Sequence, residues 1–317
     1  MIRFALKSLI FIIPFLILIT IEVLIDPFNY FSEEKNKELL EIKENISQKG
    51  NPYLYKLIKY DRYPCSTIIL GDSRMDFSPL QFENINKEKV VNLAIGGGTI
   101  QDDIEILRYV SGKHDIKKIY WGISMEKYSG TVLRNRAKPS IDIKNSLLFY
   151  LLNRYTFSSA MLISKSMIFD KQIDLYKPRS SKDVFWQSQL DLYSRYLKNY
   201  SYPENYYRDL TKIAGYCSEK NIKLVFVISP NHIDLQKKVH EFNLDEEYKR
   251  FKLDIESFGD VYDFNYPNII TNNKNNYNDP FHYKDSISKI IVKEISTTKI
   301  KYAKFTSTAK SNSREHE

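Results

Sequence analysis

The sequence predicts an α/β fold, a parallel five-stranded sheet with helices on both faces. Three observations predict it. Short runs rich in branched and aromatic residues alternate along the chain with longer segments of helical periodicity, the pattern of parallel strands joined by helical crossovers. Nearly every polar or glycine-rich stretch that could carry chemistry follows one of those runs. In a parallel sheet these stretches share the rim at the carboxyl ends of the strands, where ligands bind. Finally, 317 residues that are 43% hydrophobic and 14% aromatic can bury one large core or two modest ones, in proportions unlike those of a disordered chain.

Taken from the N-terminus, residues 9–25 are the most apolar stretch, preceded by Arg3 and Lys7 and followed by Asp26. Near the lower length limit for a span, with Glu22 close to the outer headgroups, they predict a single-pass anchor (residues 1–31) with a cytoplasmic N-terminus and the rest of the chain outside. Phe28, Tyr30 and Phe31 would then sit at the interface. A cleaved signal peptide is the competing reading, but no small-x-small site follows the apolar stretch. Residues 32–64 read as a membrane-proximal helical segment with Leu39, Leu40, Ile42 and Ile46 on its apolar face.

The main domain is expected over residues 65–298. Its strands are read at Thr67–Leu70, Val90–Ile95, Lys118–Ile123, Ile222–Ser229 and Val261–Phe264. Its helices are read at Gln101–Val110, Glu204–Ser218, Leu235–Phe258 and Lys284–Ile295. Residues 130–203 interrupt the alternation and read as a mainly helical insertion, either a cap over the rim or an ordinary subdomain. The tail, residues 299–317, turns to Ser, Thr, Lys and Glu and is expected to be disordered at its end.

Charge and cysteine usage narrow the classes. Lys+Arg 47 against Asp+Glu 39 leaves a formal +8 spread along the chain, without a dense basic block or a nucleic-acid motif. That excess suits an anionic membrane surface or envelope polymer, and equally well simple solubility. Cys65 and Cys217 lack metal or disulfide spacing and read as buried free thiols. The five histidines are not clustered, which argues against a structural metal site.

Three stretches carry chemistry. Gly71-Asp72-Ser73 ends the first strand and places a hydroxyl at its exit, where free backbone N–H groups of a following helix could stabilise an oxyanion; Ser73 as a simple helix cap is the plainer alternative. Gly96-Gly97-Gly98 after the second strand lets backbone approach a substrate. It is not a phosphate loop, because Gly-x-Gly-x-x-Gly spacing and a following Lys-Ser or Lys-Thr are both missing. Asp279-x-x-His282 puts a carboxylate three residues before an imidazole, where it can orient the ring; an aspartate cap beside an exposed histidine is the rival. No Gly-x-Ser-x-Gly surrounds Ser73, which excludes an α/β-hydrolase elbow. On the same rim, His232 suits a local hydrogen-bonding role better than a substrate contact, and Arg74 and Asp76, beside Ser73, read more readily as solvated charges than as pocket-shaping groups. His114, His240 and His316 read as surface residues.

Together these blocks resemble the SGNH (GDSL-type) hydrolase superfamily. The first block is similar to Ile69-Leu70-Gly71-Asp72-Ser73, the second to Asn92 through Thr99, and the last to Asp279-Pro280-Phe281-His282. The resemblance implies a three-layer α/β/α, flavodoxin-like sheet. It implies Ser73 as nucleophile, His282 as general base, Asp279 as its orienter, and backbone N–H groups of Ser73 and Gly97 as oxyanion donors. Acyl transfer through a serine needs no metal or organic cofactor. One block departs from the family: where Gly-x-Asn-Asp is usual, this chain reads Gly122-Ile123-Ser124-Met125, which leaves three readings open: a donor such as Ser124 or Asn231 substitutes, the enzyme is slow or selective, or the chain no longer catalyses. The variant block with an N-terminal anchor looks like the membrane-tethered SGNH-like proteins that O-acylate envelope polymers. The expected partners are then an acylated envelope carbohydrate and a multi-spanning acyltransferase. A catalytically silent assembly protein and a flavodoxin-like nucleotide binder are the alternatives.

Overall fold

The computed structural model describes residues 2–169, 181–297 and 299–308, with side chains from residue 12 onward. Six strands form one sheet: β1 Thr67–Leu70, β2 Val91–Asn92, β3 Lys118–Gly122, β4 Lys223–Ile228, β5 Asp260–Asp263 and β6 Lys304–Thr306. The first helices are α1 Ile2–Ile25, α2 Lys37–Gly50, α3 Pro52–Arg62, α4 Pro79–Asn86, α5 Ile100–Ser111, α6 Ala137–Asn145 and α7 Leu147–Leu151. The rest are α8 Arg154–Phe169, α9 Lys182–Lys198, α10 Glu204–Glu219, α11 Ile233–Glu241, α12 Asp245–Phe258 and α13 Asp285–Thr297. The chain divides into two compact units, residues 1–63 with 136–177, and residues 64–135 with 178–317.

The first unit is helical. Asn51 ends α2 and starts α3: its side chain accepts the Leu54 N–H at 3.1 Å and Pro52 opens the new helix. Phe28, Leu54, Tyr55, Ile58 and Tyr150 form its core, with Tyr30 stacked on Tyr150 at 4.1 Å between centroids. Asp26 organises the exit from α1. Its carboxylate accepts the N–H groups of Tyr30, Phe31 and Ser32 at 2.6, 2.9 and 3.1 Å and the Tyr150 hydroxyl at 3.1 Å. Asp26→Ala removes the acceptor of all four donors, of which the Tyr150 hydroxyl is buried. We expect it to destabilise this unit by about 2–4 kcal/mol in urea melts; a loss below about 0.5 kcal/mol would show the carboxylate to be dispensable.

This arrangement corrects the expectation of a membrane anchor at residues 9–25. Among the described residues, no helix is long and apolar enough to cross a membrane. The side chains of residues 9–11, at the start of the expected span, lie outside the described residues. The physical reason lies at the other end. Glu22 and Asp26 are buried in protein, and α1 packs on α7 and α8. Burial pushes the Glu22 carboxyl up to about 7. The apolar run therefore ends inside a folded unit, with Glu22 buried and the Asp26 carboxylate held by backbone N–H groups and the Tyr150 hydroxyl rather than presented to headgroups.

The second unit contains the sheet, in the order β2-β1-β3-β4-β5-β6. Strands β1 to β5 are parallel, and β6 joins the edge antiparallel to β5. The expectation of five strands is thus corrected to six. β6 arises in the tail, pairing Thr306, Phe305 and Lys304 with Val261, Tyr262 and Asp263, and three residues are too few to show a strand period in sequence. Residues 309–317 of the expected disordered tail, like His316, lie outside the described residues.

Alternation along the strands supplies both layers. Ile69, Tyr120, Val225, Val227 and Tyr262 face Phe82 of α4 and Ile287, Ile291, Val292 and Ile295 of α13. On the opposite face Trp121 stacks on Phe226 at 5.7 Å and donates its indole N–H to Asp103 of α5 at 2.9 Å. Two expected elements differ in detail. Val90–Ile95 pairs as a strand only at Val91–Asn92, although Leu93 and Ile95 still donate to Ile69 and Gly71 at 2.9 Å. The single helix read over Leu235–Phe258 is two, α11 and α12, because Asn243 takes a left-handed φ of 54° between them. Cys217 is buried as expected, whereas Cys65 is only partly covered.

Candidate active site

The strand order reverses between β1 and β3, on either side of which the crossovers leave in opposite directions, and Ser73 lies just beyond β1 at this switch point. The turn that carries it depends on Gly71, whose φ of 130° favours glycine and whose added Cβ would sit 3.0 Å from the Gly122 carbonyl oxygen. Asp103 of α5 accepts the Gly71 N–H at 3.1 Å. Burial raises its carboxyl well above the ordinary range. Asn92 of β2 holds the following loop by donating to the Met75 and Phe77 carbonyls, both at 2.8 Å.

The last block is fixed as tightly. A bridge between Tyr277 and Tyr283 closes the loop that carries it, and the His232 N–H donates to the Pro280 carbonyl at 2.9 Å. Asp279 accepts the N–H groups of Phe281 and His282 at 2.9 and 3.0 Å. Its oxygens lie 2.9 and 2.8 Å from His282 Nδ1. The other ring nitrogen, Nε2, lies 2.7 Å from Ser73 Oγ. The carboxylate at Nδ1 selects the tautomer with its proton there, leaving Nε2 to accept from the serine. Burial opposes ionisation of Asp279. The His282 ring and the two backbone N–H groups outweigh it and lower its pKa.

Ser73, Arg74, Gly97, Glu126 and His282 line a cavity of about 160 Å³. Gly97 has a left-handed φ of 66°. Gln189, Leu192 and Tyr196 of α9 form one wall. Ser124 and Asn231 are not among the lining residues. Both are buried and bonded to Arg74: Nη2 donates to Ser124 Oγ at 2.7 Å and Nη1 to Asn231 Oδ1 at 3.2 Å. Ser124 in turn donates to Glu126 Oε1 at 2.8 Å. Both expected replacement donors are thus engaged with the guanidinium.

Arg74 is also where the reading of solvated charges is corrected. Its side chain is 6% exposed and lies between Asp72 at 2.6 Å and Glu126 at 2.7 Å. Although burial would raise the Asp72 carboxyl, the Arg74 charge and hydrogen bonds hold it well below 3.8. Glu126 Oε2 has no hydrogen-bond partner among the described residues. His232 caps α11 by accepting the Asp234 N–H on Nδ1 at 3.2 Å, between the rings of Trp186 and Tyr277, and it does not line the cavity. His240 is exposed beside Asp245.

Sequence reasoning missed Glu126 and Asp103, had Arg74 beside the nucleophile more readily as a solvated charge than as a pocket-shaping group, and left α9 within an insertion read as a rim cap or a subdomain. The spacing of Gln189, Leu192 and Tyr196, three and then four residues apart, was a legible sign of one helical face. The pairing of Arg74 with Glu126 had no local signature.

No protein-family model and no curated protein matches the chain. Among solved structures it is similar to a chain from Streptococcus pneumonia provisionally described as a platelet activating factor. The two share 12% identity over 82% of this chain and 92% of that one, with a TM-score of 0.30. A likeness at that level carries no argument.

Proposed function

We propose that this protein is an SGNH-like serine esterase that removes a small acyl group from a hydroxyl of a carbohydrate-class substrate. One observation carries the reading: Ser73 Oγ is 2.7 Å from His282 Nε2 while Asp279 accepts from the far side of the ring. His282 takes the Ser73 proton as Oγ attacks the acyl carbonyl carbon. The protonated ring then gives that proton to the departing sugar oxygen, leaving acyl-Ser73. A second cycle with water, again deprotonated at Nε2, frees the carboxylic acid; a sugar hydroxyl in place of water makes the same enzyme an O-acyltransferase. The cavity of about 160 Å³ is smaller than pockets that enclose whole drug-sized ligands, which favours a short acyl chain with the remainder of the substrate outside. The carbohydrate class is inferred from the resemblance of the three sequence blocks.

A silent binding role is the second reading, favoured by the engagement of Ser124 and Asn231 with Arg74. A fluorophosphonate probe separates the two. Esterase chemistry requires a covalent adduct at Ser73 located by peptide mass, and a folded chain that stays unlabelled supports silent binding.

Asp279→Asn is expected to lower kcat by about 10²–10⁴-fold, since an amide can hold the wrong tautomer. The folded pKa of Asp279 lies below the ordinary 3.8. Its contribution to stability is therefore complete above about pH 4 and is lost as pH falls through the lowered value. Urea melts of wild type and variant should differ most above pH 4 and converge in acid; a constant gap would contradict this linkage.

A further inference from the structure

The third block lacks the asparagine whose side chain would reach a developing oxyanion, and Ser124 and Asn231 do not line the cavity but bond Arg74. We infer that the Arg74 guanidinium is the side-chain donor to the oxyanion, an inference that rests on the esterase reading above. Three observations support it. Arg74 lines the same cavity as Ser73, Gly97 and His282. Its side chain is 6% exposed, so a hydrogen bond made there is little weakened by water. Its five N–H groups are not all used. Nε donates to Asp72 Oδ1 at 3.1 Å. The two Nη2 hydrogens face Asp72 Oδ2, Ser124 Oγ and Glu126 Oε1 at 2.6, 2.7 and 2.7 Å. Nη1 donates once, to Asn231 at 3.2 Å. One Nη1 hydrogen has no acceptor among the described residues, although guanidinium groups this buried normally satisfy every donor.

The surroundings explain how Arg74 serves without acting as a bare cation. Asp72 and Glu126, two carboxylates against one guanidinium, leave no net positive field, so what Arg74 presents is a directed N–H. Those carboxylates also hold the planar group rigid. Asp72 bonds it along one edge through Nε and Nη2, and the Phe281 ring lies 5.9 Å from its central carbon. A donor fixed before the reaction needs no reorganisation as charge develops. A lysine at this position would keep the charge and lose the fork. Ser124, the residue standing where the family has asparagine, becomes one of the acceptors that aim the guanidinium.

The test compares inactivation by the fluorophosphonate probe, whose phosphoryl oxygen occupies the oxyanion position, for wild type, Arg74→Ala and Arg74→Lys. Arg74→Ala is expected to lower the maximal inactivation rate by about 100-fold, with half-saturation within about threefold. Methylguanidinium added to Arg74→Ala should recover at least about tenfold. Should Arg74→Ala fail to fold, Arg74→Lys decides. Its maximal rate falls at least about tenfold, with the pH midpoint of inactivation unchanged, because a displaced Ser73–His282 pair would move that midpoint. Folded variants that react within about threefold of wild type, or that lose affinity rather than rate, overturn the role of Arg74 alone. A folded wild type that never labels at Ser73 overturns both this inference and the esterase reading.

Discussion

Ser73→Ala is expected to reduce hydrolysis of a small activated acetyl ester by about 10⁴–10⁶-fold, the range seen when a nucleophile is removed from a serine triad. The variant cannot form the covalent intermediate, and His282 is left with no proton to accept from the side chain. Folding should barely change. Ser73 is only partly buried and gives up one hydrogen bond, at 2.7 Å to His282, a change of about 1 kcal/mol or less. The two measurements together make the result decisive. A melting transition close to that of wild type with activity at the buffer rate assigns the chemistry to Ser73. Equal rates for the two proteins above buffer would point to another nucleophile, and equal background rates would favour the silent binding role.

Trp121→Ala is expected to have the largest effect on stability, about 3–5 kcal/mol. Trp121 is fully buried at the end of β3, stacks on Phe226 and donates to Asp103. Its loss leaves a cavity and removes the donor to one oxygen of Asp103, while the other oxygen still accepts the Gly71 N–H. That carboxylate connects the sheet core to the turn presenting Ser73, so the folded fraction should also lose activity. Urea unfolding at equilibrium checks the first part and specific activity per folded molecule the second. A loss below about 1 kcal/mol would mean that the core collapses around the vacancy.

The main elements were legible because their periods are local properties of the chain. Thr67–Leu70 is fully buried, and its uninterrupted apolar run says so without reference to a partner. Ser73, Asp279 and His282 could be named because their neighbours in sequence are informative: a strand before one, a spacing of three between the others. The short β6 and the break at Asn243 were not legible. One owes its existence to an edge of β5 that only the folded sheet presents, and the other turns on a single backbone dihedral. The anchor expectation went wrong for a related reason. Hydropathy counts apolar residues and cannot see that Glu22 and Asp26 lie within a folded unit.

Sequence by itself determined the alternation of strands and helices, the place of the Gly-Asp-Ser turn at the exit of the first strand and the acid beside His282. Tertiary structure alone decided that Ser73 and His282, 209 residues apart in the chain, stand 2.7 Å from each other. It also decided that Arg74 lies buried between Asp72 and Glu126 instead of in solvent. Periodicity and short spacings report on neighbours along the chain, whereas the distance between remote groups and the environment of a charge are set by which surfaces the folded core brings together.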